Sequence, residues 1–498
     1  MAHGPADSPP ALDPLDTEPV GDRATPGALA MIGIGAGLLL VALLLMVVFG
    51  KGYAFGFSYI TAFAFVLSLG LGCLFFVLIT HLFRAGWCVV LRRPVEHIAA
   101  SFPVLAVLAL PIMLLVVAGD GWFYPWAQPM EQLKERYQLY HYGYVKDDAS
   151  YNTEQDSYGT PDHQADPDHD AQSAIDADQP LILLAANEAD PDHAHDDHGH
   201  AAHGEHPWAP PYDLVEKKLA YLNTGFFMIR WVAYFAVWIV LGLLYWRWSI
   251  RQDHTGEVDL THKREWWAPI AIILFATTST FAAFDLLMSL DPAWFSTMWG
   301  VYYFAGSMLA TFALIILICV ALKSFGRLKP VGVEHFHDLG KLLFAFVFFW
   351  GYIAFSQYML IWYANIPEET MWMEHHGFTT VPDKVNGWSY VGLFILAGHF
   401  VVPFLFLLSR WVKRAVPLLM VAAGWLIFMH YVDVWWIVMP HMDGATPLGD
   451  PVTVAMQVCL AVGMLAILLG VALLRARRHA WIPTKDPRLG ESVRFENF

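Results

Sequence analysis

Charge is scarce in this sequence. Only 15% of its 498 residues are Asp, Glu, Lys or Arg, against roughly 25% in an average soluble domain, which argues against an ordinary soluble enzyme. Cysteine is scarce too. Cys73, Cys88, Cys319 and Cys459 are far apart and form no C-x-x-C or C-x-x-C-H pattern, which argues against covalent haem, iron–sulfur clusters carried by this chain, or a disulfide framework. Cys73, Cys319 and Cys459 sit in apolar runs and read as small buried hydrophobes. A basic surface is also missing: 29 Lys and Arg face 45 Asp and Glu, a net charge of −16, so a nucleic-acid partner is excluded on charge. The acid is local, because the stretch from His141 to His206 holds 16 Asp and Glu and one Lys. The first 27 residues are polar, Pro-rich and acidic, without the positive start of a secretory signal.

What the chain does have is apolar length. Ten runs of about 20 apolar residues, each long enough to cross a bilayer core as a helix, lie near 28–49, 57–80, 98–119, 222–246, 267–290, 299–322, 340–363, 388–409, 415–439 and 452–474. Backbone groups in lipid must be satisfied internally, so the expected fold is an all-α membrane bundle of about ten helices.

Lys and Arg orient it. The short loops after the second, fourth, sixth and eighth runs carry fourteen of them, including Arg84, Arg92, Arg251, Lys329 and Arg414, whereas the opposite short loops contribute Lys51 and Lys384. The positive-inside rule then puts both termini in the cytoplasm and the acidic loop outside. Trp122, Trp126, Trp246, Trp248, Trp266, Trp267, Trp294, Trp299 and Trp362 fall near the helix ends and read as an aromatic belt.

An internal repeat organises the helices. An offset of 148 carries Pro269, Asp285 and Pro292 onto Pro417, Asp433 and Pro440; an offset of 169 carries Tyr221 and Arg230 onto Tyr390 and His399. Val95-Glu96-His97 likewise matches Val333-Glu334-His335. Spans 2–5 and 6–9 are therefore expected as two related four-helix bundles in the same orientation, flanked by spans 1 and 10. The expected organisation is a disordered cytoplasmic tail over 1–27, spans 1–3 within 28–140, and an acidic His-rich periplasmic loop over 141–206. Spans 4 and 5 within 207–298 complete the first bundle, 299–439 forms the second, and 440–498 holds span 10 and a cytoplasmic C-tail.

The repeat also places polar residues at membrane depth. Asp285 and Asp433 each lie seven residues before a proline that closes the span, about 10 Å of helix, in the outer third of the membrane. Arg230 and His399 fall at similar depth on the preceding helix, which predicts an Arg230/Asp285 pair and a His399/Asp433 pair. Ionisable groups in a membrane are costly and mark function or a clamp. Arg230 cannot release its proton; His399 can, and His430, one turn before Asp433, could extend a relay. Gln357, Ser279 and Thr277 could hydrogen-bond along such a route, although Ser and Thr in spans commonly bond their own backbone. His193, His195, His198, His200, His203 and His206 form a dense imidazole cluster in the acidic loop, a weak metal-site candidate.

Several segments resemble a known family. Ser58-Tyr-Ile-Thr-Ala, His81-Leu-Phe-Arg-Ala-Gly-Trp87, the stretch from Asp291-Pro-Ala-Trp to Phe304-Ala-Gly306, and Gly398-His-Phe-Val-Val-Pro-Phe404 are similar to the NrfD/PsrC-like membrane subunits. More narrowly they resemble the second such subunit of bacterial alternative complex III, a quinol:cytochrome c oxidoreductase. The resemblance runs over about residues 28–475. It implies a subunit of the bacterial inner membrane with no redox centre of its own. It also implies quinol oxidation near the outer face of the bundle and a proton route through this chain, the better-supported quinol site belonging to the sister subunit. The partners it implies are a sister NrfD-like subunit, a periplasmic iron–sulfur subunit and a multihaem cytochrome c, with a terminal cytochrome c oxidase beyond them and lipid around them. Quinol is then a substrate, and haem c and iron–sulfur clusters belong to the partners. Two other readings stay open on the residues alone. His399 and His430 could be axial ligands of a haem b, and the repeat with its buried charges also fits a secondary transporter or proton channel.

Overall fold

The computed structural model describes residues 12–19, 21–118, 121, 123–128, 132, 212–378, 385–442, 444–447 and 449–496. The expected acidic loop, its six histidines, Trp122 and Lys384 lie outside these residues. Among those described, ten helices are long and apolar enough to cross a membrane. They are span 1, Gly21–Phe49; span 2, Gly52–Leu82; span 3, Val89–Ala118; span 4, Thr224–Thr255; and span 5, Asp259–Leu290. The rest are span 6, Trp299–Ser324; span 7, Val333–Ala364; span 8, Gly387–Leu408; span 9, Val416–His441; and span 10, Pro451–Ala476. No strand occurs among the described residues. The chain is an all-α, multi-pass membrane protein.

Spans 2 to 5 close on one another: 2 packs on 3 and 5, and 4 packs on 3 and 5. Spans 6 to 9 repeat the pattern, with 6 on 7 and 9, and 8 on 7 and 9. The two units meet along spans 2 and 6, which approach closely at Gly72, where a Cβ would fall 1.9 Å from Thr311 Oγ1. Spans 1 and 10 pack on each other and on span 2; Gly35 makes this possible, since a Cβ there would fall 2.6 Å from the carbonyl oxygen of Gly463.

Proline shapes two spans. Span 3 breaks between Ala99 and Phe102, where Pro103 offers no N–H to the preceding turn. Span 8 passes through a π-helical turn, Leu396–Val401, just before Pro403. The turn releases a carbonyl that Trp425 Nε1 recaptures, donating to Gly398 O at 2.7 Å. Such π turns often accompany functional side chains, and this one carries His399.

The start of span 1 and the end of span 10 lie together, with Gly21 N donating to Arg477 O at 2.9 Å. The expectation of disorder over 1–27 is corrected for the described residues 12–19 and 21–27, residues 1–11 and 20 lying outside the described ones. Asp13 caps a short helix, Pro14–Thr17, and the buried Asp16 accepts from Leu328 N at 2.5 Å and Lys329 N at 3.0 Å. Two donors from the turn after span 6, in which Leu328 holds φ 53°, give that acidic segment a fixed seat. The C-terminal tail is seated as well. Asp486 accepts from Arg92, Arg488 pairs with Glu265 at 2.7 Å, and Ser492 joins Trp87 O to His335 Nε2. The tail thereby bridges the two units at the ends where span 3 and span 7 begin.

Candidate functional site

In the first unit, the predicted Arg230/Asp285 pair forms. Arg230 Nε and Nη2 each donate to an Asp285 carboxylate oxygen at 2.8 Å, a bidentate bond between spans 4 and 5. Tyr234 OH donates to the same carboxylate at 2.9 Å, and Arg230 Nη1 to Tyr221 O at 2.8 Å. The guanidinium also lies over the Tyr221 ring, 3.7 Å from its centroid. The guanidinium bonds both carboxylate oxygens and carries a charge that cannot be released, so the pair holds spans 4 and 5 together as a clamp.

The second unit is built differently, and the predicted His399/Asp433 pair is corrected. Asp433 is buried and accepts from Tyr302 OH on span 6 and from Trp350 Nε1 on span 7, the latter at 3.2 Å. Those two neutral donors occupy the carboxyl, while the π turn lays His399 against the Trp350 ring, with centroids 4.1 Å apart. His399 is fully buried and neither of its ring nitrogens has a protein partner. His430 lies 6.2 Å from it, centroid to centroid, with its Nε2 2.9 Å from Ser68 Oγ on span 2 and its Nδ1 free. That Nε2 is committed to Ser68, which does not fit a shared haem between the two histidines. The approach of span 6 is set by Gly306, whose Cβ would sit 2.8 Å from the His430 ring.

Beside Asp433 lies a cavity of about 550 Å³. Its walls come from all four helices of the second unit: Trp299 and Tyr302 from span 6, Trp350 and Gln357 from span 7, Leu396 and Phe400 from span 8, and Trp436 from span 9. Trp372, Met373 and Phe378, from the segment between spans 7 and 8, complete it. Tyr302 and Trp350 therefore belong to both the cavity wall and the Asp433 hydrogen bonds. Such an apolar, aromatic enclosure with a few convergent polar groups is what a flat hydrophobic ligand needs.

The cover of the cavity between spans 7 and 8 is a stack of rings. Trp294 lies on Trp372 at 4.4 Å, and Trp372 on His376 at 3.7 Å. His376 ties this cover to span 9, its Nδ1 2.8 Å from Trp372 O and its Nε2 3.2 Å from Ile437 O. Burial, assisted by neighbouring His375, lowers its pKa to about 3. At the other end of the stack, Lys218 Nζ donates to the carbonyls of Pro292, Ala293 and Trp294, and burial brings its pKa down to about 8. The belt reading holds for the exposed Trp266, Trp267 and Trp362, but Trp126, Trp294 and Trp299 are buried. Ring-on-ring packing and, for Trp126, a bond to Ser289 O hold them inside the protein.

The remaining candidates divide. Gln357 lines the cavity and accepts from Ser296 Oγ at 3.2 Å. Thr277 and Ser279 bond the carbonyls of Ile273 and Ala276 in their own helix and take no part in this site. Tyr302 and Trp350 were missed by the sequence reading, though Trp350 carried a signal: fourteen residues before the end of span 7, it is too deep for a belt. Among the described residues, no group of three His, Cys, Asp or Glu is arranged to hold a metal. No known family model matches the chain, and no curated protein does. Chemically, the arrangement can receive an aromatic lipid-soluble molecule against Tyr302 and Trp350, the two side chains that donate to a buried carboxyl with no paired cation.

Proposed function

We propose that this chain is a non-haem membrane subunit of a respiratory quinol:cytochrome c oxidoreductase of the alternative complex III type, and that its second unit handles quinol and its protons. The observation that carries the reading is the aromatic cavity wall shared with Asp433. Tyr302 and Trp350 both line the cavity and bond the carboxyl. The resemblance of the segments around Asp291–Gly306 and Gly398–Phe404 to NrfD/PsrC-like subunits supports it, since those segments supply Trp299, Tyr302 and Phe400 of the wall. The Lys and Arg distribution supports a cytoplasmic location for both termini and a cavity toward the periplasm of a bacterial inner membrane.

Quinol oxidation releases two electrons and two protons. Asp433 offers a first acceptor for a proton, handed over through or beside Tyr302 OH. His399 and His430, buried with unpartnered ring nitrogens, offer further stations across a bridging water, because a buried polar atom without a protein partner is where ordered water sits. The electrons go to the iron–sulfur and haem groups of partner subunits. In the first unit the Arg230/Asp285 clamp has a structural task.

The test is purification from native membranes in mild detergent, with a reduced-minus-oxidised spectrum and identification of the bound subunits. The expected result is copurification with a multihaem cytochrome c and an iron–sulfur protein, and no haem on the isolated chain. A chain that purifies alone, without redox partners, would overturn the reading.

A further inference from the structure

The cavity has a second polar feature, set apart from the carboxyl. Gln357 lies seven residues before Ala364, the last residue of span 7, as Asp433 lies seven before Pro440, so the two stand at matching depth, about 10 Å below the outer helix ends. Gln357 is nine-tenths buried and lines the cavity. Its Oε1 is taken by Ser296 Oγ at 3.2 Å. That bond orients the amide, and among the described residues no acceptor is seen on its Nε2, which stays accessible from the cavity that Gln357 lines. The geometry points to an acceptor on the ligand.

We infer that Gln357 is the second anchor of the bound ring, donating from Nε2 to the ring oxygen remote from Tyr302 and Asp433. This rests on the quinol reading and deepens it. One oxygen of the ring meets Tyr302, whose hydroxyl is bonded in turn to Asp433, the other meets the Gln357 amide, and the aromatic wall takes the ring faces. A site built this way selects molecules with an oxygen at each end of the ring over a phenol with one, because the phenol leaves the amide unpaired. Ser296 is a positioning residue that keeps the amide turned toward the cavity.

Four tryptophans on the wall, Trp299, Trp350, Trp372 and Trp436, supply the readout. Decylubiquinone is titrated into the full-length chain in detergent while tryptophan quenching is followed, and 4-decylphenol is used as a displacing competitor. The wild type should show saturable quenching. Gln357→Leu should weaken decylubiquinone roughly tenfold, the worth of about one hydrogen bond, and leave the phenol's affinity unchanged. Ser296→Ala, which keeps Gln357, should weaken the quinone by a smaller factor and keeps the test decisive where the Gln357→Leu chain fails to fold. An unchanged quinone affinity in Gln357→Leu, or an equal loss for quinone and phenol, would overturn the anchor while leaving the quinol reading standing. Absence of saturable quenching in the wild type would remove the quinol reading and the anchor with it.

Discussion

Asp433→Asn separates proton acceptance from packing. The two side chains have nearly the same size, so the cavity wall stays in place. The substituted amide can still accept from Tyr302 through its carbonyl oxygen. Its NH₂, however, then confronts Trp350 Nε1–H, which in the wild type donates to Asp433 at 3.2 Å. Trp350 Nε1–H and the new NH₂ are then both left without an acceptor, each at a cost of about 1–3 kcal/mol of stability. Catalytically the change is larger, since an amide cannot take a proton; loss of a positioned acid–base group lowers rate by about 10²–10⁴-fold, equivalent to roughly 3–5 kcal/mol in the barrier. The assay is decylubiquinol:cytochrome c turnover by the purified complex, normalised to its haem c so that only assembled enzyme is counted. Turnover should collapse while subunit composition holds. Asp433→Glu, which keeps the acid but overfills a packed site, should retain part of the rate. Assembled Asp433→Asn complex turning over within about threefold of wild type, a difference far smaller than any acid–base contribution, would refute the proton role of Asp433.

Arg230→Ala should act on stability instead, because it strands the fully buried Asp285 carboxylate; removing one partner of such a pair costs about 3–5 kcal/mol, read as a fall in assembled complex on a native gel, with Arg230→Ala/Asp285→Ala recovering part of it. Gly306→Ala places a Cβ 2.8 Å from His430 and should cost about 1–3 kcal/mol by overpacking, lowering the thermal midpoint of the detergent-solubilised chain. The C-terminal tail should respond to acid. Burial raises the Asp486 carboxyl, but Arg92 and Arg264 outweigh it and the pKa sits below the ordinary 3.8. The docked tail thus binds its proton less readily than a released one. Docking is therefore at full strength above about pH 4 and weakens as the pH falls through the docked pKa. Protection factors of residues 486–494, that is, hydrogen exchange corrected for the intrinsic base-catalysed rate, should fall on that acid limb and hold toward alkaline pH; a loss of protection toward alkaline pH would contradict the assignment.

The spans were legible because lipid leaves helix as the way to satisfy a backbone, and the repeat was legible because its prolines and aspartates fall at fixed offsets. Arg230 and Asp285 could be paired from the sequence since a buried cation and a buried carboxylate at one depth on adjacent helices have few alternatives. His399 and Asp433 misled for a physical reason. A neutral imidazole has no such obligation, and which neutral donor wins a carboxyl depends on helix rotation and on the π turn before Pro403, neither of which hydrophobic periodicity records. The buried Trp294 and Trp299 misled in the same way, since a tryptophan near a helix end packs inward or faces the headgroups according to what lies across from it. The tail contacts of Asp16 and Asp486 were invisible because each depends on donors far away in the chain.

The two units make the argument for function by their difference. Both keep an aspartate at the same repeat position, and the first devotes everything around it to a fixed charge: Arg230 binds both carboxylate oxygens, and Tyr221 lies under the guanidinium. In the second unit histidine stands where the arginine stood. With no guanidinium to cover, the corresponding Tyr390 is 71% exposed, and the carboxyl turns to Tyr302 and Trp350, which are also cavity wall. A structural clamp needs none of this. Burying a carboxyl with neutral donors is a poorer way to join helices than a bidentate ion pair, yet it is the arrangement that lets a proton come and go. On the proposed function, the histidine that stands at the arginine's repeat position gives up holding power for proton chemistry, in the unit where the aromatic cavity opens.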